Sequence, residues 1–289
     1  MRHKNADRVD LGIVIALQEE FRELLALCGT VSQHKSDKLT VYRFNRREYR
    51  VVAALVGEAG AARASGVTER MIDAWHPESV VSLGIAAAVH DDLRVGDVYV
   101  PTQADEYIQD AKDPPNSSDP AEFVFVPGGP GRRTDYKIID ALQNLEMGHA
   151  DIYKRFVDGC ADDLKQVVRD GDKRQQLIAQ NIIRANAGVL ADGHVATSST
   201  VGAAEAFAKW IRSHDRHAKA IEMETAGVYV AAQEYGKVTR PFTIRGIADF
   251  GDDRKKALDE ISAGALRKYA MHNAVRFLWA ILDAGALPR

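Results

Sequence analysis

Apolar and polar positions follow two different periods along the chain. Residues 11–17 (LGIVIAL) form a near-continuous apolar run, the pattern of a strand covered on both faces, and 18–27 follow with helical spacing. Residues 39–44 and 50–56 read as a hairpin around the polar NRREY, 58–75 as a loop entering an Ala-rich helix, and 79–85 and 96–101 as two more buried strands. Between 110 and 133 the pattern fails. KDPPNSSDP and VPGGPGRR concentrate Pro, Gly and Ser around the short apolar EFVFV, which predicts a long surface loop or lid.

Helical spacing resumes over 136–145, 153–168 and 173–184, with turns near Gly148 and Gly171. A strand over 188–196, helices over 203–213 and 225–235, a strong strand over 241–248 and a long terminal helix over 260–282 complete the pattern. Buried strands alternating with helices predict an α/β fold, a three-layer sandwich, and the hairpin makes its central β-sheet mixed. The expected organisation is an N-terminal extension over 1–10 and a single domain over 11–289, with the lid loop and a helical insertion at about 110–185. No internal repeat or heptad pattern stands out.

The 289 residues are 46% hydrophobic and 27% charged, enough for one sizeable core. With 38 Lys and Arg against 41 Asp and Glu, the net charge of −3 offers no basic field for a nucleic-acid backbone, and no nucleic-acid partner is expected. Two cysteines, Cys28 and Cys160, are too few for a disulfide framework and fit a reducing compartment. The apolar run at 11–17 stops at QEE, short of the roughly 20 residues of a membrane span, and it lacks the form of a secretory signal. A soluble cytoplasmic protein is expected.

Acidic residues recur where strands end: Glu19 and Glu20 after the first, Glu222 and Glu224 in AIEMETAG, and Asp249 after FTIRGIA. Ligands of open α/β sheets bind beyond the carboxyl ends of strands, so these acids can converge on one crevice. A Glu in IEMET can accept two hydrogen bonds from a vicinal diol, with Met223 covering a flat apolar surface; equally, it can cap the following helix or pair with an Arg. Asp249 fits a general acid in a partly dry pocket, or an Asx turn in DFGDD.

Gly57, Gly60 and Gly66 in VGEAGAARASG suggest a turn whose N–H groups face an anion or a sugar, with Arg63 beside it, and Gly84 in SLGIAAAV leaves room for a flat ligand or for close helix packing. Arg132, Arg133 and Lys137 around VPGGPG offer a contact for phosphate or a solvated loop face. Neither a complete G-x-G-x-x-G nor a P-loop, H-E-x-x-H, zinc-type Cys/His spacing or G-x-S-x-G occurs. His149 and His194, isolated in sequence, read as cap or surface residues.

Taken in order, LGIVIALQEEF, VGEAGAARASG, SLGIAAAV, IEMETAGVY and GIADFGDD resemble the nucleoside phosphorylase superfamily, most closely the nucleosidase branch that contains 5′-methylthioadenosine/S-adenosylhomocysteine nucleosidase. The resemblance runs from about Leu11 to Leu282, apart from much of 110–184. It implies a mixed sheet surrounded by helices, a homodimer or larger homo-oligomer, and neither metal nor redox cofactor. By the same resemblance Glu20 orients a hydrolytic water, Glu224 binds the ribose, Met223 packs on the sugar, Asp249 meets purine N7, and Gly84 and Ile85 help line the pocket.

The implied reaction is cleavage of a purine N-glycosidic bond, with Asp249 assisting the departing base and Glu224 holding the sugar as positive charge builds on it. The chain departs from the branch in two places. SSTVG replaces a Ser-Gly-Asp-x-Phe segment, with Val201 near the aromatic position, and Ala248 stands where a Ser is common. With the insertion, these departures favour an adenine nucleoside or nucleotide over a compact methylthioadenosine substrate, and leave open a nucleotide-depleting role of the kind relatives have in antiphage defence. A phosphate-dependent phosphorylase and a non-catalytic nucleotide sensor are the two alternatives. A negative Glu20 beside the reacting carbon favours water over phosphate as nucleophile.

Overall fold

Strands that read as continuously apolar do so because helices cover both of their faces. In the computed structural model, which describes residues 8–35, 39–107, 128–197, 205–236, 238–252, 254, 258 and 264–288, β1 (Leu11–Ile15) sends Leu11, Ile13 and Ile15 into one core and Val14 into another. β4 (Tyr49–Leu55) alternates in the same way, Val51 and Ala53 against Val52 and Ala54. The first core is closed by α1 (Gln18–Leu27) and the terminal helix α9 (Ala265–Asp283), the second by α2 (Ala61–Trp75) and α8 (Thr225–Tyr235).

The rest of the sheet comprises β2 (Ser32–Lys35), β3 (Thr40–Arg46), β5 (Ser79–Ala88), β6 (Val98–Tyr99), β7 (Gln103–Asp105), β8 (Gly131–Arg133), β9 (Val189–Leu190), β10 (His194–Thr197), β11 (Ala218–Glu222) and β12 (Arg240–Asp249). Its order is β2-β3-β4-β1-β5-β11-β10-β7-β8, with β12 on β5 and β6 on β12 and β9. Parallel and antiparallel pairs coexist, so the fold is the expected three-layer α/β sandwich on a mixed sheet.

β5 decides where the site lies. One of its edges is paired along almost its whole length by β12, through Ala87. The other edge holds β1 through Ser82 and then β11, antiparallel, at Ala87 and Ala88. Between those two partners the backbone from Leu83 to Ala86 is left without a strand on that side, directly beyond the carboxyl end of β1.

Helices α3 (Tyr136–Gln143), α4 (Leu145–Gly148), α5 (Ala150–Val167) and α6 (Gly171–Ala179) lie between β8 and β9, and α7 (Glu205–His214) lies between β10 and β11. The first group is not a separate body. Phe156 and Cys160 of α5 belong to the same core as Ile13, the Phe156 and Phe277 rings lie 5.4 Å apart, and Asp163 accepts from Arg276 of α9 at 2.6 and 2.9 Å. Val9 and Asp10 also belong to the body: Val9 is buried, and Asp10 accepts from the Arg50 backbone N–H at 2.7 Å, so the expected extension ends earlier than residue 10.

Other differences from the sequence pattern are local. The run over 188–196 divides into β9 and β10, which join different neighbours. The loop expected to reach 133 closes with β8, paired to β7. Polar SQHK, exposed at all four positions, forms β2 through its ladder to β3 alone. The lid segment 110–127 and the start of the helix expected at 203 lie outside the described residues. Among the described residues no helix is long and apolar enough to cross a membrane.

Helix α8 packs closely on α2 at Gly227, where a Cβ would overlap the Ala61 carbonyl at the start of α2. Backbone cannot swing aside as a side chain does. Gly227→Ala is expected to lower stability by about 2 kcal/mol, read as a lower urea midpoint at unchanged slope.

Candidate active site

Four carboxylates reach one cavity of about 260 Å³ beyond the ends of β1, β5, β11 and β12. Glu20, Glu222, Glu224 and Asp249 line it with Ile85, Met223, Ala248 and Arg267, among others. Each acid arrives by a different local device.

Glu20 is the third residue of α1, and its Oε2 accepts from the Leu17 N–H that precedes the helix, at 3.2 Å. Its Oε1 accepts from the Ile85 N–H at 3.1 Å, on the stretch of β5 that no strand covers. Burial raises its pKa above the ordinary range, against the pull of Arg245 and of these two N–H groups.

The two glutamates of IEMET divide the roles that sequence left open between them. Glu222 ends β11 and accepts from the Glu224 N–H at 2.9 Å and the Thr225 N–H at 3.0 Å, capping the start of α8, and it pairs with Arg245. Glu224 turns instead to the pocket, where its Oε1 accepts from the Gly60 N–H at 3.2 Å. The glycine turn therefore does cradle an anion, and that anion is the protein's own carboxylate. Burial pushes Glu224 up to about 7; Arg245 opposes the shift, and the charges of Glu222 and Glu20 add to it.

At the end of β12 a register shift between Ile247 and Asp249 inserts an extra residue opposite Ala86 and Ala87. Both Ala248 and Asp249 then face the pocket. Asp249 is buried, and its Oδ1 accepts from the Gly251 N–H at 2.8 Å. The Asx turn and the pocket position thus coexist in one side chain.

Arg245, which was not singled out in the sequence, joins these groups. It is 1% exposed, and its Nη2 donates to Glu222, to Ser82 Oγ at 2.7 Å and to Thr225 Oγ1 at 3.1 Å, with Glu224 Oε2 at 3.5 Å. Nη1 passes over Gly84, where a Cβ would overlap it and would lie 3.3 Å from Glu20 Oε1. Gly84 is therefore not a wall of the pocket. Its missing side chain makes the space in which arginine and glutamate meet. The signal for Arg245 was present: a lone charge inside the apolar run PFTIRGIA has to be paired if that run is a buried strand.

Of the other residues considered, Met223 and Ile85 line the pocket, and Val201 lies outside the described residues. The three arginines considered for phosphate are not among its lining residues. Arg63 pairs with Glu58 at 2.8 Å on the surface; Arg132 contacts Glu106 and Gln233, both at 2.9 Å; Arg133 borders a separate depression with Gln103 and His194. The cation at the pocket mouth is Arg267 of α9, paired with Glu19 at 2.6 Å. Burial pushes the Cys28 thiol up to about 12 and that of Cys160 higher still, which makes both poor nucleophiles.

The family model described as the phosphorylase superfamily matches residues 10–283. Among curated proteins, the ATP nucleosidase Cap17 of Escherichia coli strain KTE188 is 24% identical over 210 residues; the match takes in 71% of this chain and 37% of that protein, so the chain spans little more than a third of this relative. Among solved structures, a 5′-methylthioadenosine/S-adenosylhomocysteine nucleosidase from Colwellia psychrerythraea, in complex with adenine, gives a TM-score of 0.67 at 19% identity, over 97% of this chain and 96% of that one. The futalosine hydrolase of Helicobacter pylori gives 0.62 at 19% identity, over 95% and 97% of the respective chains. These likenesses establish a shared fold.

Removing the buried cation leaves carboxylates crowded in a dry site. Arg245→Met is expected to cost about 3–5 kcal/mol at neutral pH. Glu20 and Glu224, already held above their unfolded values, rise further without it; their native state then holds protons that the unfolded state releases, so stability falls as pH rises. Urea unfolding at about pH 5 and about pH 8 should show the smaller deficit at the lower value.

Proposed function

Because the chain belongs to the phosphorylase superfamily, we propose that it hydrolyses the N-glycosidic bond of a purine nucleoside or nucleotide, adenine being the favoured base, and releases free base with ribose or ribose phosphate. The observation that carries this reading is the placement of Glu20, Glu224 and Asp249 on one cavity, each held by its own backbone N–H.

As the bond stretches, electrons move onto the base and positive charge spreads over the ribosyl ring. Asp249 donates to or protonates the purine, making it a better leaving group. Glu224 accepts hydrogen bonds from the sugar hydroxyls and supplies negative charge beside the ring, strengthened by exclusion of water. Met223 gives the sugar an apolar surface. Glu20, with a basicity raised by burial, accepts a proton from the water that attacks the anomeric carbon. The water oxygen becomes the new sugar hydroxyl, and the base leaves with its bonding pair.

Hydrolysis is favoured over phosphorolysis by charge. Nη2 of Arg245 is already taken by Glu222, Ser82 and Thr225, and the wall beside the reacting carbon carries Glu20 and Glu224. A phosphate nucleophile would enter against these anions, and among the described lining residues the cation, Arg267, is already paired with Glu19. The adenine preference draws support from the adenine complex and the ATP nucleosidase among the similar proteins. A second space of about 500 Å³, bordered by Lys268 and Met271, shares Glu20, Ile85 and Arg267 with this cavity and offers room for a 5′ substituent.

The test is chromatography of reactions with adenosine, AMP, ATP, methylthioadenosine and their guanine and hypoxanthine counterparts, with and without phosphate. Free base is expected in phosphate-free buffer; base release that appears only with phosphate, as ribose 1-phosphate forms, identifies a phosphorylase, and tight binding without release identifies a sensor. Asp249→Asn is expected to lower kcat by about 10²–10⁴-fold, and Glu224→Gln to raise KM as well as lower kcat.

Glu224 must be ionised to accept from both hydroxyls, so kcat/KM should climb about tenfold per pH unit below about pH 7 and level off above it. A pH–rate profile that is flat from about pH 5 to 8 contradicts that role.

A further inference from the structure

We propose that Asp105, His194 and Asp215 form a structural site for a divalent transition-metal ion, zinc being the ion that fits one imidazole and two carboxylates. The three come from separate segments. Asp105 ends β7, His194 opens β10, and Asp215 sits in the turn between α7 and β11. Asp105 is opposite Ala196 in the parallel ladder, so it projects on the same side of the sheet as His194, two residues earlier.

One ligand atom from each residue lies within 4.8 Å of the other two. His194 Nδ1 is 2.8 Å from Asp215 Oδ2 and 3.1 Å from Asp105 Oδ2. Ligand atoms on a tetrahedral zinc with bonds of about 2.0–2.1 Å lie about 3.3 Å apart, so the observed edges need to open by only a few tenths of an ångström. Three side chains on a four-coordinate ion leave one position for water.

Charge argues the same way. Nδ1 offers a single proton to the two carboxylate oxygens beside it, whose carboxyl groups also hydrogen-bond each other. One divalent ion in place of that proton meets all three lone pairs. The other oxygen of each carboxylate is already oriented, Asp105 Oδ1 by Gln103 at 2.6 Å and Asp215 Oδ1 by the His217 N–H at 2.8 Å, as ligands of a bound metal are held from behind.

The ion would fasten β7, near the edge of the sheet, to β10 and to the end of α7. It lies apart from the carboxylates of the pocket and takes no part in glycosidic cleavage, so its test is independent of the reaction. The untagged protein of these 289 residues is stripped with EDTA, dialysed to equilibrium against dilute ZnCl₂, and its zinc measured by mass spectrometry alongside thermal unfolding. One zinc per chain and a rise in Tm on the order of 5 °C are expected.

His194→Ala and Asp215→Asn, with circular dichroism to confirm folding, should each weaken zinc binding by more than about tenfold, while His149→Ala, outside the cluster, retains it. Wild-type protein that takes up no zinc, or zinc held equally well by His194→Ala and Asp215→Asn, overturns the site.

Discussion

A guanidinium is held in the dry centre of this protein. Arg245 is fully enclosed between β5 and α8, and burying such a charge costs several kcal/mol unless oppositely charged and polar partners surround it. Glu222 meets that need most directly, with Ser82 and Thr225. Glu20 and Glu224 add more negative charge than one cation can neutralise. Burial holds both carboxyls above their ordinary range against the pull of Arg245, and at Glu224 the neighbouring carboxylates add to the shift.

The sheet makes this arrangement possible by leaving part of β5 without a neighbour. β1 stops pairing after Ser82, β11 begins at Ala87, and the free N–H of Ile85 between them takes the carboxylate of Glu20. On the opposite edge the extra residue in β12 brings Asp249 to the same opening. α8, capped by Glu222, is pressed so closely on the start of α2 that only Gly227 fits, and the turn just before α2 supplies the N–H that holds Glu224. Packing outside the pocket thus sets the position of each acid.

Much of this was legible in sequence because it depends on periods and strand ends. Continuous apolar runs announce strands covered on both faces, and acids at strand ends mark Glu19, Glu20, Glu222, Glu224 and Asp249, of which all but Glu19 line the pocket. Features created by pairing between distant segments were not legible. Polar SQHK becomes a strand only through its ladder to β3, and the 188–196 run divides because its halves join different neighbours. Whether Glu222 or Glu224 capped the helix was undecidable from spacing alone; the position of Arg245 and Gly60 decides it. His194 looked isolated because Asp105 and Asp215 are distant in sequence and adjacent only in the fold. Arg245 could have been found, since a charge in a buried strand requires partners, and three glutamates without a cation pose the same question from the other side.

The most direct measurement is a carbon-13 NMR titration of the glutamate side-chain carboxyls, with Glu224→Gln used to assign the Glu224 signal. If burial, with the neighbouring carboxylates, outweighs the pull of Arg245, Glu224 titrates near 7, well above an exposed glutamate. A Glu224 signal that titrates with the surface glutamates, near the unperturbed value of about 4.3, contradicts the account.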